Sequence, residues 1–346
     1  MDTAHFESRR NKILESIIKT YVETAEPVGS VEVCRRFHLR VSPATVRHVM
    51  GELEHEKLLT HPHTSAGRIP TPRGYRYYVD LLMTPQTLTT AEAEAIHTLI
   101  HQGDDPLEVL ETTAQLVAEL TGQASAVLAP RMMQSTLRRI ELIPVTSRRI
   151  LGVVMTEDGV LRHAYLDFPE EIELSELERL SRFLNEELQG HVLSDIESRF
   201  QQALLDATSA FNHLYKRAQE LWALGGFAEA DETLYLEGVA HLLAQPEFHN
   251  ARQSHRLMEA FEAETSIAAV LNETAGHGRR CVVIGSENPR EELGGCSVVS
   301  APYRAGHRVA GALGVIGPTR LDYPRVAAIV DEAAEAVSQA MARFTL

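Results

Sequence analysis

The sequence predicts a multidomain α+β protein whose N-terminal segment is a winged helix-turn-helix. Three observations carry that expectation. The 346 residues exceed what one ordinary core organises, so two or three domains follow. Within the first 84 residues, apolar positions recur at helical spacing in four runs, and Ser42-Pro43 and Thr71-Pro72 open the last two on either side of a short strand and polar loop. Further on, strand-like runs stop near residue 167, a long helical stretch intervenes, and strands resume near residue 280. That is the pattern of one α+β domain interrupted by an insertion.

In chain order, Ile13, Leu14, Ile17, Ile18, Tyr21 and Val22 give residues 6–24 one apolar helical face. Pro27 and Gly29 break that helix, and Ser30 caps a short second one ending at Phe37. Ser42 followed by Pro43 is an N-cap with proline at the first helical position. It starts a third helix that buries Val46, Val49, Met50 and Leu53. Leu58 to Pro62 reads as a strand, His63 to Arg68 as a polar loop in which Gly67 allows a positive-φ turn, and Ile69 as the returning strand. The Thr71-Pro72 helix buries Tyr75, Tyr78, Val79 and Leu82, and Thr84-Pro85 closes the segment. Helices are then expected at 90–102 and 106–121. Strands follow at 124–129, 137–145, 150–156 and 160–167, the last two joined at Asp158-Gly159. After helical pattern over 175–224, strands return at 280–284, 296–301 and 308–316 before a final helix over 323–344.

The formal charge of −15 looks unfavourable for a polyanionic partner, but it is unevenly distributed. Residues 1–83 hold 12 Lys and Arg against 10 Asp and Glu, while the remainder holds 21 against 38. Between Lys57 and Val79 there is no acid, only Lys57, Arg68, Arg73 and Arg76 among the charged residues. Fields are screened beyond about 10 Å at ordinary salt, so a local basic strip suits phosphates on an otherwise acidic molecule. With Val46, Met50 and Leu53 buried, the third helix turns Ala44, His48, Gly51 and His55 outward, flanked by Thr45, Arg47 and Glu52. Such a helix offers its N-terminal residues to base edges in the major groove: Arg47 can donate twice to guanine, and His48 can donate or accept. Ser42 and Thr45 at the helix start suit phosphate oxygens. The loop residues His63, Thr64, Ser65 and Arg68 form a second anchor, and Arg73 and Arg76 are candidates for neutralising backbone phosphates.

Other chemistries find no support in the residues. Cys34, Cys281 and Cys296 are odd in number and far apart, which offers neither a disulfide framework nor a zinc site. His61, His63 and Cys34 make no tetrahedral set, so no metal is expected. Gly311 to Gly317 lacks the spacing of a nucleotide loop, and no G-x-S-x-G or H-E-x-x-H pattern is present. No enzyme activity and no cofactor are expected. With no apolar run long enough to span a bilayer and no signal-peptide pattern at the N-terminus, a cytoplasmic protein without a membrane partner is expected.

Four strings sharpen the reading. Glu26-Pro27-Val28-Gly29-Ser30, Ser42-Pro43-Ala44-Thr45-Val46-Arg47, Pro62 through Thr71 and Gly74 through Asp80 resemble the heat-inducible transcription repressor HrcA family. Leu236-Glu237-Gly238, Gln245-Pro246-Glu247-Phe248, Gly285-Ser286-Glu287-Asn288 and Gly311 through Arg320 with Asp322-Tyr323 extend the likeness over nearly the whole chain. The family often has Asn-Asp where this chain has His48-Val49, and Gly where it has Lys57.

The resemblance implies a winged helix over 1–84, a GAF-like domain in two segments, 88–192 and 266–346, and a mainly helical dimerisation domain inserted over 193–265. It also implies a homodimer on double-stranded DNA at an inverted-repeat operator of the CIRCE type, controlling chaperone operons, with the chaperonin GroEL as modulator. Two other readings stay open: a small-molecule sensor using the GAF-like domain, which requires a deep pocket there with converging polar groups, and a winged helix that binds protein rather than DNA.

Overall fold

The structure is a computed structural model that describes residues 3–38, 41–62, 67–84, 86–130, 135–157, 159, 161–196, 198–200, 202, 212–224 and 233–344. The fold is α+β and multidomain, as expected. The first unit comprises α1 (Thr3–Thr24), α2 (Ser30–Phe37), α3 (Pro43–His55), β1 (Leu59–Thr60), β2 (Ile69–Pro70) and α4 (Pro72–Tyr77), which runs on into a π-helical turn over Tyr78–Leu82. β1 and β2 pair antiparallel, and a bridge between Val28 and Arg68 adds the α1–α2 connection to this small sheet. The apolar faces of α1 and α3 meet as their spacing requires: Ile13, Leu14, Ile17 and Ile18 are buried with Val46, Val49, Met50 and Leu53.

After α5 (Thr90–Ile100) and α6 (Pro106–Thr121), an antiparallel five-stranded sheet organises the second unit. Its strands are β3 (Ala124–Leu128), β7 (Leu234–Glu237), β8 (Cys281–Ile284), β9 (Cys296–Ala305) and β10 (Arg308–Pro318), in the order β7-β3-β10-β9-β8. The central strands are buried on both faces, and their side chains alternate between two cores. Leu313 and Val315 face α12 (Tyr323–Ala342), which buries Val326, Ile329, Val330 and Val337 there. Ala312 and Ile316 face the other way, toward Ile267 and Leu271 of α11 (Thr265–His277). On that second side also lie α9 (Val239–Leu243) and α10 (Ala251–Ala263).

The insertion is not where the sequence placed it. β4 (Leu137–Pro144), β5 (Arg149–Thr156) and β6 (Leu161–Asp167) do not join the five-stranded sheet but form an antiparallel three-stranded sheet of their own. With α7 (Leu174–Leu188) and α8 (Asn212–Leu224) they enclose a separate core that includes Ile140, Val154, Leu166, Leu184 and Trp222. The inserted unit therefore begins after β3 and ends before β7, and it carries a sheet. Residues 234–265, assigned to the insertion by sequence, belong to the main sheet and its flanking helices. β7 is the missed element: its four residues pair with β3, Leu236 opposite Ala126. The expected turn at Asp158-Gly159 falls partly outside the described residues, with Gly159 at φ 82°.

Candidate nucleic-acid interface

α3 starts as its sequence dictates. The Ser42 hydroxyl accepts from the Thr45 N–H at 3.1 Å and shares a 2.9 Å hydrogen bond with the Thr45 hydroxyl, while Pro43 occupies the first turn. Ser42 and Thr45 are thus held as a cap at the exposed helix start. Ala44, Arg47, His48, Gly51 and His55 are exposed along one face, opposite buried Val46, Val49, Met50 and Leu53. The His48 side chain, 75% exposed, lies 3.5 Å from Glu52 one turn on. A β-carbon added at Gly51 would meet nothing within 4 Å, so this face is smooth and open.

The helix end is a Schellman closure. The Leu58 N–H donates to the Leu53 carbonyl and the Lys57 N–H to the Glu54 carbonyl, both at 2.9 Å. Lys57 takes the left-handed position at φ 62°. The chain then enters the wing, whose described part is anchored from two sides. Val28 and Arg68 exchange backbone hydrogen bonds of 2.9 Å. The Arg68 guanidinium lies 2.8 Å from Glu54 of α3, and the same carboxylate holds His61.

Gly67 is needed here for a reason other than the positive φ expected of it. It is not in the left-handed region, but a β-carbon on it would stand 2.6 Å from the carbonyl oxygens of Pro27 and Val28. Close backbone approach is what selects glycine.

Two of the arginines have carboxylate partners within the protein. Arg68, expected on a phosphate or in a groove, is ion-paired to Glu54 and braces the wing against α3. Arg76 is engaged by the second unit: its Nε donates to Glu287 Oε1 at 2.9 Å and Nη2 donates to the Val282 carbonyl of β8, while Nη1 lies 3.2 Å from Asp80 on its own helix. Hydrogen bonding to Glu287 raises the Arg76 pKa further above its ordinary value. Burial favours the neutral Glu287 acid, but hydrogen bonds from Arg76 and the Ile284 N–H override it and lower the carboxyl pKa. Arg73 remains exposed on α4. His63, Thr64 and Ser65 lie outside the described residues. The structure therefore brings Ser42, Ala44, Thr45, Arg47 and His48 together on one helix, leaves Arg73 exposed, and pairs Arg68 with Glu54 and Arg76 with Glu287.

Sequence reasoning missed a second set of contacts, where the first unit meets the second. The ring of Tyr75 lies 5.7 Å from that of Tyr323, and one apolar core runs from α1 and α3 through to α12. Arg320 donates to Gln245 at 2.7 Å and to the Val22 carbonyl at the end of α1 at 3.3 Å, and it pairs with Glu247. These residues sit in strings quoted above only for their likeness to a family. Nothing local in them announces a partner in the first unit.

A three-helix unit with a capped, outward-facing third helix and a two-stranded wing is the architecture of a winged-helix transcription regulator. Comparison with known proteins makes the class specific. Residues 107–327 match the family model described as the HrcA protein C-terminal domain. The heat-inducible transcription repressor HrcA of Desulforamulus reducens is 35% identical over 339 residues, covering 98% of each chain. That of Desulforudis audaxviator is 37% identical over 94% of this chain and 95% of its own, and that of Geobacter sulfurreducens 36% over 96% and 97%. A solved structure, described as a hypothetical protein at 2.2 Å resolution, shares the fold with a TM-score of 0.63 at 22% identity over 97% of this chain and 98% of its own. The chain belongs to the family of heat-inducible transcription repressors HrcA, and its function is repression of heat-shock gene transcription through DNA. Among the described residues no helix is long and apolar enough to cross a membrane.

Proposed function

We propose that the chain represses by binding a CIRCE-type inverted-repeat operator as a homodimer in the cytoplasm, one α3 per half-site, with GroEL modulating the active fraction. The observation that carries this reading is the exposed, N-capped face of α3, on which Ala44, Arg47, His48 and Gly51 stand clear of the protein. Arg47 and His48 read base edges, Ser42, Thr45 and Arg73 contact phosphates, and Ala44 and Gly51 allow close approach to the groove floor. The wing residues His63, Thr64 and Ser65 contact the flanking backbone in this reading. One recognition helix reads too few bases for a genomic search, whereas two related by a dyad combine their free energies on a palindrome.

A second copy of the chain has a face to meet. On the β4-β5-β6 sheet, the side turned away from α7 and α8 carries Ile143, Leu151 and Tyr165 in one cross-strand row and Met155 with Leu161 in another. Ile143, Leu161 and Tyr165 are exposed by 48%, 53% and 61%. Glu141, Val153 and His163 form the row between these two. An uncovered sheet face with apolar rows of this kind is a site for self-association, and the inverted repeat calls for a two-fold partner.

The ligand-sensing alternative has less behind it, because the two faces of the five-stranded sheet are filled by core side chains such as Leu313, Val315, Ala312 and Ile316.

A binding titration on an inverted-repeat duplex, on a scrambled duplex and over a salt series tests the proposal. Preference for the repeat and a steep loss with rising salt are expected, as is a larger bound fraction when GroEL is added. Equal affinity for the scrambled duplex would sink the operator reading, and indifference to GroEL would remove the chaperonin from it.

A further inference from the structure

We propose that Arg76 and Arg320 are positioning residues that fix the orientation of the winged helix on the second domain and thereby set the spacing of the two α3 helices in the dimer. This inference rests on the dimeric operator-binding reading above.

The two arginines reach across the junction from opposite sides. Arg76 leaves α4 of the winged helix and forks onto Glu287 and the Val282 carbonyl of β8. Arg320 leaves the end of β10 and caps the C-terminus of α1 at the Val22 carbonyl, while Gln245 and Glu247 hold its guanidinium. The last carbonyls of a helix lack intrahelical partners, and a cation there also complements the helix dipole. Arg320 is 13% exposed, so its fork acts where water screens little.

Adhesion and orientation have different sources here. The continuous apolar core, with Tyr75 against Tyr323, holds the two units together, but burial of apolar surface is non-directional and tolerates rotation. A planar guanidinium bonded at two edges does not tolerate it. Arg76 carries such a fork across the junction from α4. Arg320, its own fork held by Gln245 and Glu247 within the second domain, adds a second point of attachment through one hydrogen bond to the Val22 carbonyl of α1. Two separated points fix a rigid body where one would leave a pivot. Because α1 and α4 carry α3, its direction relative to the second domain follows from these contacts. In a dimer, so does the separation of the two α3 helices.

The test uses the full-length chain with Arg76→Gln, Glu287→Gln and Arg320→Gln, each titrated against a full inverted repeat and against a duplex holding one half-site. A half-site needs one winged helix in any orientation, so its affinity should stay within about twofold of wild type. Affinity for the full repeat should fall about tenfold, the loss expected when a charge-assisted fork no longer presets the geometry. Equal losses on both duplexes would overturn the proposal, since they would mean that the residues touch DNA or hold the winged helix itself together. No loss on either duplex would overturn it equally. Should wild type fail to prefer the full repeat, the operator reading fails, and amide hydrogen exchange then decides the junction independently. The substitutions should speed exchange in β8 and α4 and leave α3 unchanged, and an unchanged junction overturns the positioning role.

Discussion

The carbonyl oxygen of Leu58 stands 2.1 Å from where a β-carbon on Gly74 would fall, so the start of α4 lies directly against the end of the α3 closure. That carbonyl already accepts the Thr71 N–H at 3.1 Å, and Thr71 caps α4 through the Gly74 N–H. The wing base is thus built on a backbone contact that only glycine allows. Gly74→Ala should destabilise the protein by about 3 kcal/mol, at the upper end for overpacking because the obstacle is backbone rather than a movable side chain. Thermal denaturation checks this, and a melting temperature equal to wild type would contradict the contact.

Lys57 occupies the left-handed position of the Schellman closure at φ 62°, where a side chain is disfavoured by about 1–2 kcal/mol. Lys57 is exposed, so little packing offsets that cost. Lys57→Gly should therefore raise stability by roughly 1 kcal/mol, less the extra backbone entropy that glycine carries in the unfolded chain. Denaturant midpoints of the two proteins measure the difference. A lowered midpoint would show that the lysine side chain contributes more than its backbone strain removes.

How far the sequence revealed these features depends on how local their causes are. The start of α3 was legible to the residue because its cap, its first-turn proline and its apolar spacing all lie within 14 consecutive positions, Ser42 to His55. The junction was not. Arg76 and Glu287 are 211 positions apart, and an arginine in a basic strip reads as a phosphate ligand until its partner is seen. The insertion boundary failed for a related reason. β4 to β6 have ordinary strand patterns, and nothing in alternation says which sheet a strand joins. β7 is only four residues long and lies beside helical pattern, and it becomes a strand through pairing with β3, Ser125 opposite Glu237. Gly67 was recognised as special, but the reason lay in the distant Pro27-Val28 backbone.

Glu92 gives a pH dependence with a definite sign. Hydrogen bonds from the Thr89 backbone and hydroxyl, and then from Arg325, lower its pKa from the ordinary 4.5 to about 2. A carboxylate depressed on folding stabilises the native state above its unfolded pKa, and that contribution is lost as pH falls through the folded value. Glu92→Gln keeps the size of the side chain but has no charge to lose. The melting-temperature gap between wild type and variant should be full above pH 5 and close as pH falls toward 2. A gap independent of pH would show that the capping box of α5 works without the charge.

Arg47 and Arg73 should separate base reading from phosphate contact. Arg47 lies on the exposed face of α3, in the first two turns, where a recognition helix meets base edges. Arg47→Ala should cost about 1–3 kcal/mol on the operator and relax the preference at one base pair. Arg73 sits at the start of α4, so Arg73→Ala should weaken all duplexes alike and flatten the salt slope. Titrations on operator and scrambled duplexes at several salt concentrations distinguish the two. Indistinguishable profiles would leave α3 without a privileged role.

Gly51 offers a substitution whose effects on stability and on binding should run in opposite directions. It lies inside α3, where glycine costs roughly 1 kcal/mol relative to alanine, and an added β-carbon meets nothing within 4 Å in the free protein. Gly51→Ala should therefore stabilise the helix by most of that amount. The new methyl would project from the same face as Ala44, Arg47 and His48, and with α3 seated in the major groove it would hold the helix away from the bases. Higher thermal stability with weaker operator binding is the expected pair of results. Weaker binding cannot then be ascribed to unfolding, because the variant is the more stable protein. Higher stability with unchanged operator affinity would place the Gly51 side of α3 away from the DNA and rotate the reading face toward Arg47 alone.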